Sequence, residues 1–502
     1  MPLASSVAIA LFGLSGTKIT VEADISSNLP NFVLVGLPDT SLSEATSRVR
    51  AACTNSGLPL PGRRITVNLA PASVPKRGSS FDLAIALTVL AASGAVSAES
   101  VQSWVHLGEL GLDGSLKPVP GVLPALMAGK ALGSHRYVVP LANQSEAEAV
   151  EGVEVLAFSH LTEVASFHGS KIEPAPVPHE LEAGTAATVS QPCFSDVFGQ
   201  HEIVDALAIA AAGGHHLLMV GPPGAGKTML AERLPTILPP LTTDQMIETA
   251  AVESLSGLGG ALSQLPPFRA PHHSSSTAAM IGGGLGVPRP GLISLAHNGV
   301  LFLDEAPEFQ VPALESLRQP LESGEVFISR AAGVARFPAR FQLVMAANPC
   351  PCGFAWEASG KCKCAEPAKS RYLAKLSGPL LDRVDMSLRV QRVPKALESS
   401  RNPTSVELRQ VVARARSAAA ERLAGTPWTT NAQLPGTYLR KHLKPARAVT
   451  AGLDKALERG SLSMRGYDRC LRLSLTVADI AGDSTVTAEH MAKAVWLRGG
   501  EL

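Results

Sequence analysis

The chain has 502 residues, 45% of them hydrophobic and 17% charged, a length that predicts two to four domains at about 100–200 residues each. Seven cysteines are too few for a disulfide scaffold, and the most apolar charge-free stretch, LAIALTVLAASGAVSA (83–98), falls short of the 18 or so residues that span a bilayer. A net charge of +1 argues by itself against a nucleic-acid partner, and the N-terminal MPLASSVAIALFGLSG, with no basic residue before its apolar run, makes a poor signal peptide, so a soluble, cytoplasmic protein is expected.

In chain order, ITVEADI (19–25), FVLVGLP (32–38) and RITVNLAPA (64–72) read as strands, with an amphipathic helix at 41–57. A buried helix, FDLAIALTVLAASG (81–94), stops at Gly94, and VHLGELGLDGSLKPV (105–119) predicts a hairpin around Asp113-Gly114. Residues 1–168 thus read as an α+β domain with its own core. Residues 169–192, rich in Pro, Ala and Glu without apolar periodicity, read as a linker.

A second α/β region is expected over 193–393. Its segment HLLMVGPPGAGKTML (216–230) contains a complete phosphate-binding loop, with a buried strand running in and a helix running out. Gly221, Pro222, Pro223, Gly224, Ala225 and Gly226 form the loop whose backbone N–H groups wrap phosphates, Lys227 reaches the β- and γ-phosphates of ATP, and Thr228 ligates Mg²⁺. In GVLFLDE (299–305), four apolar residues predict a buried parallel strand with two carboxylates at its C-terminal end. There Asp304 would hold Mg²⁺ and Glu305 would orient and polarise the attacking water. A third strand, FQLVMAANP (341–349), ends in Asn348, placed to sense the γ-phosphate or the water.

Just beyond lies a cluster of Cys350, Cys352, Cys362 and Cys364, four soft ligands suited to a tetrahedral structural Zn²⁺; reduced free thiols are the alternative. His272 and His273 have no evident third ligand and, as neighbours on a strand, would face opposite ways, so they read as shaping the helical insertion that follows. Gly282, Gly283 and Gly284 are expected to supply a mobile loop, and the hairpin at 323–340 carries Arg330, Arg336 and Arg340, all candidates to face a pore.

Residues 394–502 read as helical, with 407–425 and 465–482 both ending at glycine. Charge is unevenly spread. Residues 1–365 hold 21 basic against 30 acidic residues, a balance of −9, whereas 366–502 hold 23 against 13, a balance of +10. A basic C-terminal part suits either a polyanion-facing surface or a solvated Arg-rich helical domain.

These motifs resemble an AAA+ ATPase, and longer segments narrow the resemblance. PFRAPHHSSSTAAMIGGG (267–284), RPGLISLAHNGVLFLDEAPEF (289–309), LRQPLESGEVFISRA (317–331), AANPCPCG (346–353) and LSGPLLDRVD (376–385) are similar to the magnesium-chelatase-like AAA+ family of the YifB/ComM type. NFVLVGLPDTSLSEATSRVRAA, KRGSSFDLAIAL and LGELGLDGSLKPVPGV resemble that family's N-terminal domain, which has the fold of Lon's protease domain. The resemblance implies an α/β fold: an AAA+ P-loop core with a helical lid, preceded by an α+β Lon-protease-like (S5 domain 2-like) domain. It also implies that Arg383 is an arginine finger for the neighbouring subunit of a ring, that Arg465 is the sensor-2 arginine, acting in cis or in trans, and that 196–200, including Gln200, shape the adenine pocket.

Lon-type peptidases pair a Ser nucleophile with a Lys. Here Ser79-Ser80 falls near the nucleophile position, but Val119 matches the base position and Lys117 stands two residues away, so a fold reused for binding or assembly is expected. The family resemblance implies a homo-hexameric, ATP-driven helicase or branch-migration factor acting on single-stranded or branched DNA. The alternative is a chelatase-like motor that remodels a protein partner.

Overall fold

In a computed structural model, the described residues are 3–36, 39–76, 78–174, 192–284, 288–330, 333–356, 361–393, 401–442 and 445–499. The central part of the expected linker, 175–191, and the start of the expected C-terminal helical region, 394–400, lie outside them.

The segment weighed as a signal peptide is a central strand. Leu3–Phe12 turns through Gly13, at φ 62°, and pairs antiparallel with Ser15–Ser26, whose alternation buries Ile19, Val21, Ala23 and Ile25. This hairpin is the middle of a seven-stranded mixed sheet ordered Asn31–Val35, Arg64–Ala70, Ser15–Ser26, Leu3–Phe12, Val105–His106, Arg136–Pro140, Glu154–Phe158. The helix Asp82–Ser93 packs on the first hairpin and is buried from Asp82 to Ala92; Gly94, in the left-handed region, ends it as expected.

The hairpin around Asp113-Gly114 is smaller than expected. Only Glu109–Leu110 and Leu116–Lys117 pair, because Val105–His106 joins the large sheet and Leu107 N–H donates to Val138 C=O at 3.0 Å.

The second sheet is parallel throughout, in the order Phe268–Arg269, Val300–Leu303, Gln342–Ala347, Leu217–Val220, Met386–Arg389. Every residue of its three middle strands is buried, as expected of strands covered on both faces. On one face, His201–Gly213 and the C-terminal helices Ser405–Arg422 and Met464–Ala481 share a core with the sheet. On the other lie Leu292–Leu295 and the hairpin Glu325–Arg330/Gly333–Pro338.

Met464–Ala481 ends at Gly482, as its sequence predicts. Ser405–Arg422 instead stops at Leu423, two residues before Gly425, where Thr426 N–H turns back onto Leu423 C=O.

A buried polar chain ties sheet to lid. His215 Nδ1 meets Asp385 Oδ2 at 2.9 Å and His215 Nε2 meets Thr476 Oγ1 at 2.8 Å. Asn431 joins Thr476 to Asp479, which Arg422 grips with both guanidinium nitrogens at 2.7 Å. The N-terminal sheet docks on the ATPase region where Val122–Ala131 packs against Thr243–Ser256 and Gly121 N–H donates to Ser254 C=O at 2.9 Å. Among the described residues no helix is long and apolar enough to cross a membrane.

Candidate active site

Three adjacent parallel strands end at one edge, and their loops converge there. The strand Leu217–Val220 runs into a loop where Gly224 and Gly226 adopt φ 74° and 84°. Gly221 has no room for a side chain: a Cβ would lie 2.1 Å from the Val390 carbonyl.

The helix Lys227–Arg233 then begins. Lys227 Nζ donates to the carbonyls of Gly221 (2.7 Å) and Pro222 (3.1 Å) and to Asn348 Oδ1 (3.2 Å). Burial lowers the pKa of this ammonium, and the Asp304 and Glu305 carboxylates oppose the shift. Thr228 Oγ1 donates to Asp304 Oδ2 at 2.7 Å, which puts a hydroxyl and a carboxylate where one cation would bind both. Glu305 N–H caps Asp304 Oδ1 at 2.9 Å, and Glu305 itself sits at φ 50°, a strained conformation for a non-glycine residue. The open glycines of the loop, the buried ammonium and the Thr–carboxylate pair form a set of groups that fits a Mg²⁺-bound triphosphate.

Gln200, also left-handed at φ 55°, bridges the loop by donating to the carbonyls of Ala225 (2.7 Å) and Gln391 (3.1 Å). Asp196, at the end of a short turn, pairs with Arg233 at 3.3 Å.

His273 was missed as a site residue. Both histidines lie in a turn rather than a strand, so their rings stack at 4.1 Å instead of facing apart, and His273 Nδ1 stands 3.6 Å from Glu305 Oε2. The signal was present in the sequence: Pro271 ahead of a Ser run makes a continuous strand unlikely to extend through the pair.

Arg383 and Arg465 are brought together, apart from the loop. Arg465 Nη1 donates to Asp382 Oδ2 at 2.8 Å, while Arg383, next in sequence to Asp382, is ion-paired with Glu322. No ion pair or hydrogen bond among the described residues joins either arginine to a P-loop side chain.

Cys350, Cys352, Cys362 and Cys364 converge with all four sulfurs within 4.8 Å of one another. Measured separations of 3.4, 3.8 and 3.7 Å compare with the ~3.8 Å edge of a tetrahedron with Zn–S bonds of about 2.3 Å, so the set fits zinc. The Phe354 backbone N–H holds the Cys352 thiol down to about 6. This loop abuts the nucleotide loop: a Cβ on Gly353 would lie 2.5 Å from Pro223 Cδ.

The glycines at 282–284 depart from the expected mobile loop. Gly282–Gly283 pairs with Arg289–Pro290, and a Cβ on Gly282 would lie 2.3 Å from the Arg289 carbonyl, so close backbone packing accounts for glycine there. In the hairpin, Arg336 pairs with Glu325 and lies over the exposed Phe327 ring, while Arg330 and Arg340 lie at its tip and just past its end.

The family description "Magnesium chelatase, subunit ChlI" matches residues 193–397, "Magnesium chelatase, subunit ChlI C-terminal" matches 402–498, and "Subunit ChlI of Mg-chelatase" matches 21–143. The chain is 42% identical to Competence protein ComM of Haemophilus influenzae over 507 residues, covering 99% of this chain and 98% of that one. It is 41% identical to YifB of Escherichia coli over 499 residues, 97% and 96% of the two chains. A partial likeness of 28% over 188 residues, 36% of this chain and 23% of the other, connects it to the Lon protease of Mycolicibacterium smegmatis. A nucleotide-binding edge of this composition, matched along nearly the whole length by these relatives, means that the chain belongs to the YifB/ComM family of magnesium-chelatase-like AAA+ proteins.

Proposed function

We propose that the protein is an ATP-hydrolysing ring motor, a homo-hexamer that works on single-stranded or branched DNA in recombination or DNA uptake. We divide it into a Lon-like domain without a catalytic dyad (1–168), a linker (169–192), an AAA+ core (193–393) and a helical lid (394–502).

The observation that carries this reading is the convergence of Lys227, Thr228, Asp304, Glu305 and Asn348 on one sheet edge, with Arg383 and Arg465 paired elsewhere. Lys227 binds the β- and γ-phosphates, and Asn348, already bonded to its ammonium, reports whether the γ-phosphate is present. Thr228 and Asp304 would hold Mg²⁺, which supplies charge neutralisation on the phosphate oxygens. Glu305 orients the attacking water and accepts its proton; His273, 3.6 Å away, holds that carboxylate while no water is positioned.

Arg465 is ion-paired with Asp382, the residue before Arg383, so the C-terminal helix holds the loop that would carry the finger toward a neighbouring subunit's nucleotide. A guanidinium supplied from next door makes hydrolysis depend on ring closure. Cys350, Cys352, Cys362 and Cys364 hold Zn²⁺, which staples the loop behind Asn348 against Pro223.

A DNA partner is supported by the +10 balance of residues 366–502, by exposed Phe327 beneath Arg336 on the hairpin, and by a 42%-identical relative named as a competence protein. The magnesium-chelatase match favours a second reading, a motor acting on a protein partner. ATP hydrolysis measured with and without single-stranded or forked DNA over a salt series decides between them. Stimulation that fades as salt rises supports the DNA motor through counterion release, and indifference to DNA at every salt concentration rejects it.

A further inference from the structure

The seven-stranded sheet comes apart between its fourth and fifth strands. A two-residue turn closes the first hairpin, so Phe12↔Ser15, Ala10↔Thr17 and Ala8↔Ile19 are the pairs that exchange hydrogen bonds. Ile9 and Leu11 therefore turn their N–H and C=O groups to the opposite edge. On that edge Val7↔Val105 is the one pairing among the described residues, and no residue stands in register with Ile9 or Leu11 there. The neighbouring segment leaves in other directions, with Leu107 N–H on Val138 C=O and Gly108 N–H on Ser80 C=O.

The gap is a cavity of about 540 Å³, walled by Ile9, Leu11, Leu107, Val119, Val122 and, from the ATPase region, Leu255. Its polar wall is Glu109, which accepts a hydrogen bond from Ser79. On the ATPase side Arg289 lines it, exposed and without an ion pair among the described residues.

These features select the ligand. A nucleotide needs several phosphate donors, and among the described residues the wall offers one guanidinium, with a carboxylate also lining it. A compact apolar molecule would fill the space yet leave the Ile9 and Leu11 amides and carbonyls unpaired, a cost of about 1–3 kcal/mol for each buried group. An extended chain satisfies them by adding a strand, with alternate side chains entering the apolar wall. The chain's own segment 169–192 is a poor occupant, since its prolines remove N–H donors and it lacks alternating apolar residues.

We infer that this cleft is a peptide-binding site: an extended apolar segment of a partner protein adds to the free edge at Ile9 and Leu11, with an acidic residue facing Arg289. The site stands apart from the nucleotide chemistry and does not rest on the proposed DNA activity.

Fluorescence anisotropy on the full chain tests it, with a labelled Val-Leu-Val-Leu-Ala-Asp peptide as probe. Analogues with proline at the second and fourth positions, or with asparagine for the terminal aspartate, serve as controls. The first peptide should bind saturably and the proline analogue at least about tenfold more weakly. Val119→Trp, which fills the cleft, should weaken binding by a similar factor without moving the thermal midpoint. Should Val119→Trp fail to fold, Arg289→Ala, at an exposed position, should abolish the preference for aspartate over asparagine. The site is rejected if no peptide binds saturably, if the proline analogue binds equally well, or if the folded variants bind with unchanged affinity and preference. It is equally rejected if a photo-reactive group at position 119 cross-links to residues 169–192 of the same chain in place of the peptide.

Discussion

In the five-stranded sheet, neighbouring strands end in groups that need one another: an ammonium after Leu217–Val220, two carboxylates after Val300–Leu303 and an amide after Gln342–Ala347. In the seven-stranded sheet, the position where a Lon-like peptidase would have its nucleophile carries Ser79, hydrogen-bonded to the carboxylate of Glu109, and Val119 lines the cavity where an amine would have to stand. A hydroxyl donating to a carboxylate has a proton acceptor but no low-pKa amine to generate an alkoxide. The contrast is between an edge whose charged and amide groups meet one another and a cleft walled by Val119 whose polar wall is a Ser79–Glu109 pair.

The comparison is sharpened most by removing the group proposed to complete a neighbouring subunit's active edge. Arg383→Ala should lower ATP turnover on the order of 10³–10⁵-fold while ATP still binds, read from steady-state hydrolysis and a nucleotide-affinity measurement. A mixture of Arg383→Ala with Lys227→Ala subunits should recover part of that loss, because a Lys227→Ala subunit lends its Arg383 to the intact phosphate loop of an Arg383→Ala neighbour.

Glu305→Gln should cost about 10²–10⁴-fold in kcat and leave ATP bound. Normal hydrolysis in this variant would remove Glu305 from the water-activating role. Next in size is the cysteine loop. Metal analysis should find close to one equivalent of zinc per chain, and Cys352→Ser with Cys362→Ser should lose it and slow hydrolysis about tenfold, or ~1.4 kcal/mol, by releasing the loop behind Asn348.

What was legible in the sequence differs between the two sheets for a physical reason. Phosphate chemistry imposes local spacing, so GPPGAGKT and the paired carboxylates of 304–305 announce themselves in eight and two consecutive residues, and the strands before them are unbroken apolar runs. The placement of His273 against Glu305 depends on a turn whose geometry no periodicity encodes. Likewise, the bond from Arg465 to Asp382, the residue before Arg383, joins residues 83 positions apart, a contact set by how the C-terminal helix docks. The N-terminal strand was not read as one because its run of Ala, Ser, Ile and Leu lacks the alternation of a half-buried strand; pairing along both edges defines it.

A pH-dependent contribution tests the N-terminal region by itself. In the N-terminal region His106 Nε2 and His168 Nε2 lie 3.1 Å apart, and His168 Nδ1 meets Ser100 Oγ at 2.8 Å. Burial pushes His168 down to about 4 and holds His106 well below its ordinary value, with the neighbouring ring adding to the latter. Because the folded pKa lies below the unfolded one, the contribution is full above about 6.5 and disappears as pH falls toward 4. For His168, about 2.5 units correspond to ~3 kcal/mol. His168→Gln, which cannot be protonated, should flatten the pH dependence of the unfolding midpoint between pH 6.5 and 4; an unchanged slope would remove the pair as its source.

The smallest expected effect discriminates as sharply as the largest. Ser79→Ala deletes one of the two hydroxyls near the peptidase nucleophile position, the one bonded to Glu109; were it the nucleophile of a working enzyme, its loss would abolish turnover. Here the hydroxyl only satisfies Glu109 at the wall of the cleft. Its loss should cost no more than about 1 kcal/mol of stability, because Glu109 can turn to water in the open cavity. ATP hydrolysis should be unchanged, and neither the parent chain nor the variant should cleave an unfolded protein substrate. Cleavage by the parent that Ser79→Ala abolishes would mean that an amine other than one at position 119 reaches the serine. Buried Lys76, three residues before it and now donating to the carbonyls of Pro71 and Val74, would then be the first to replace.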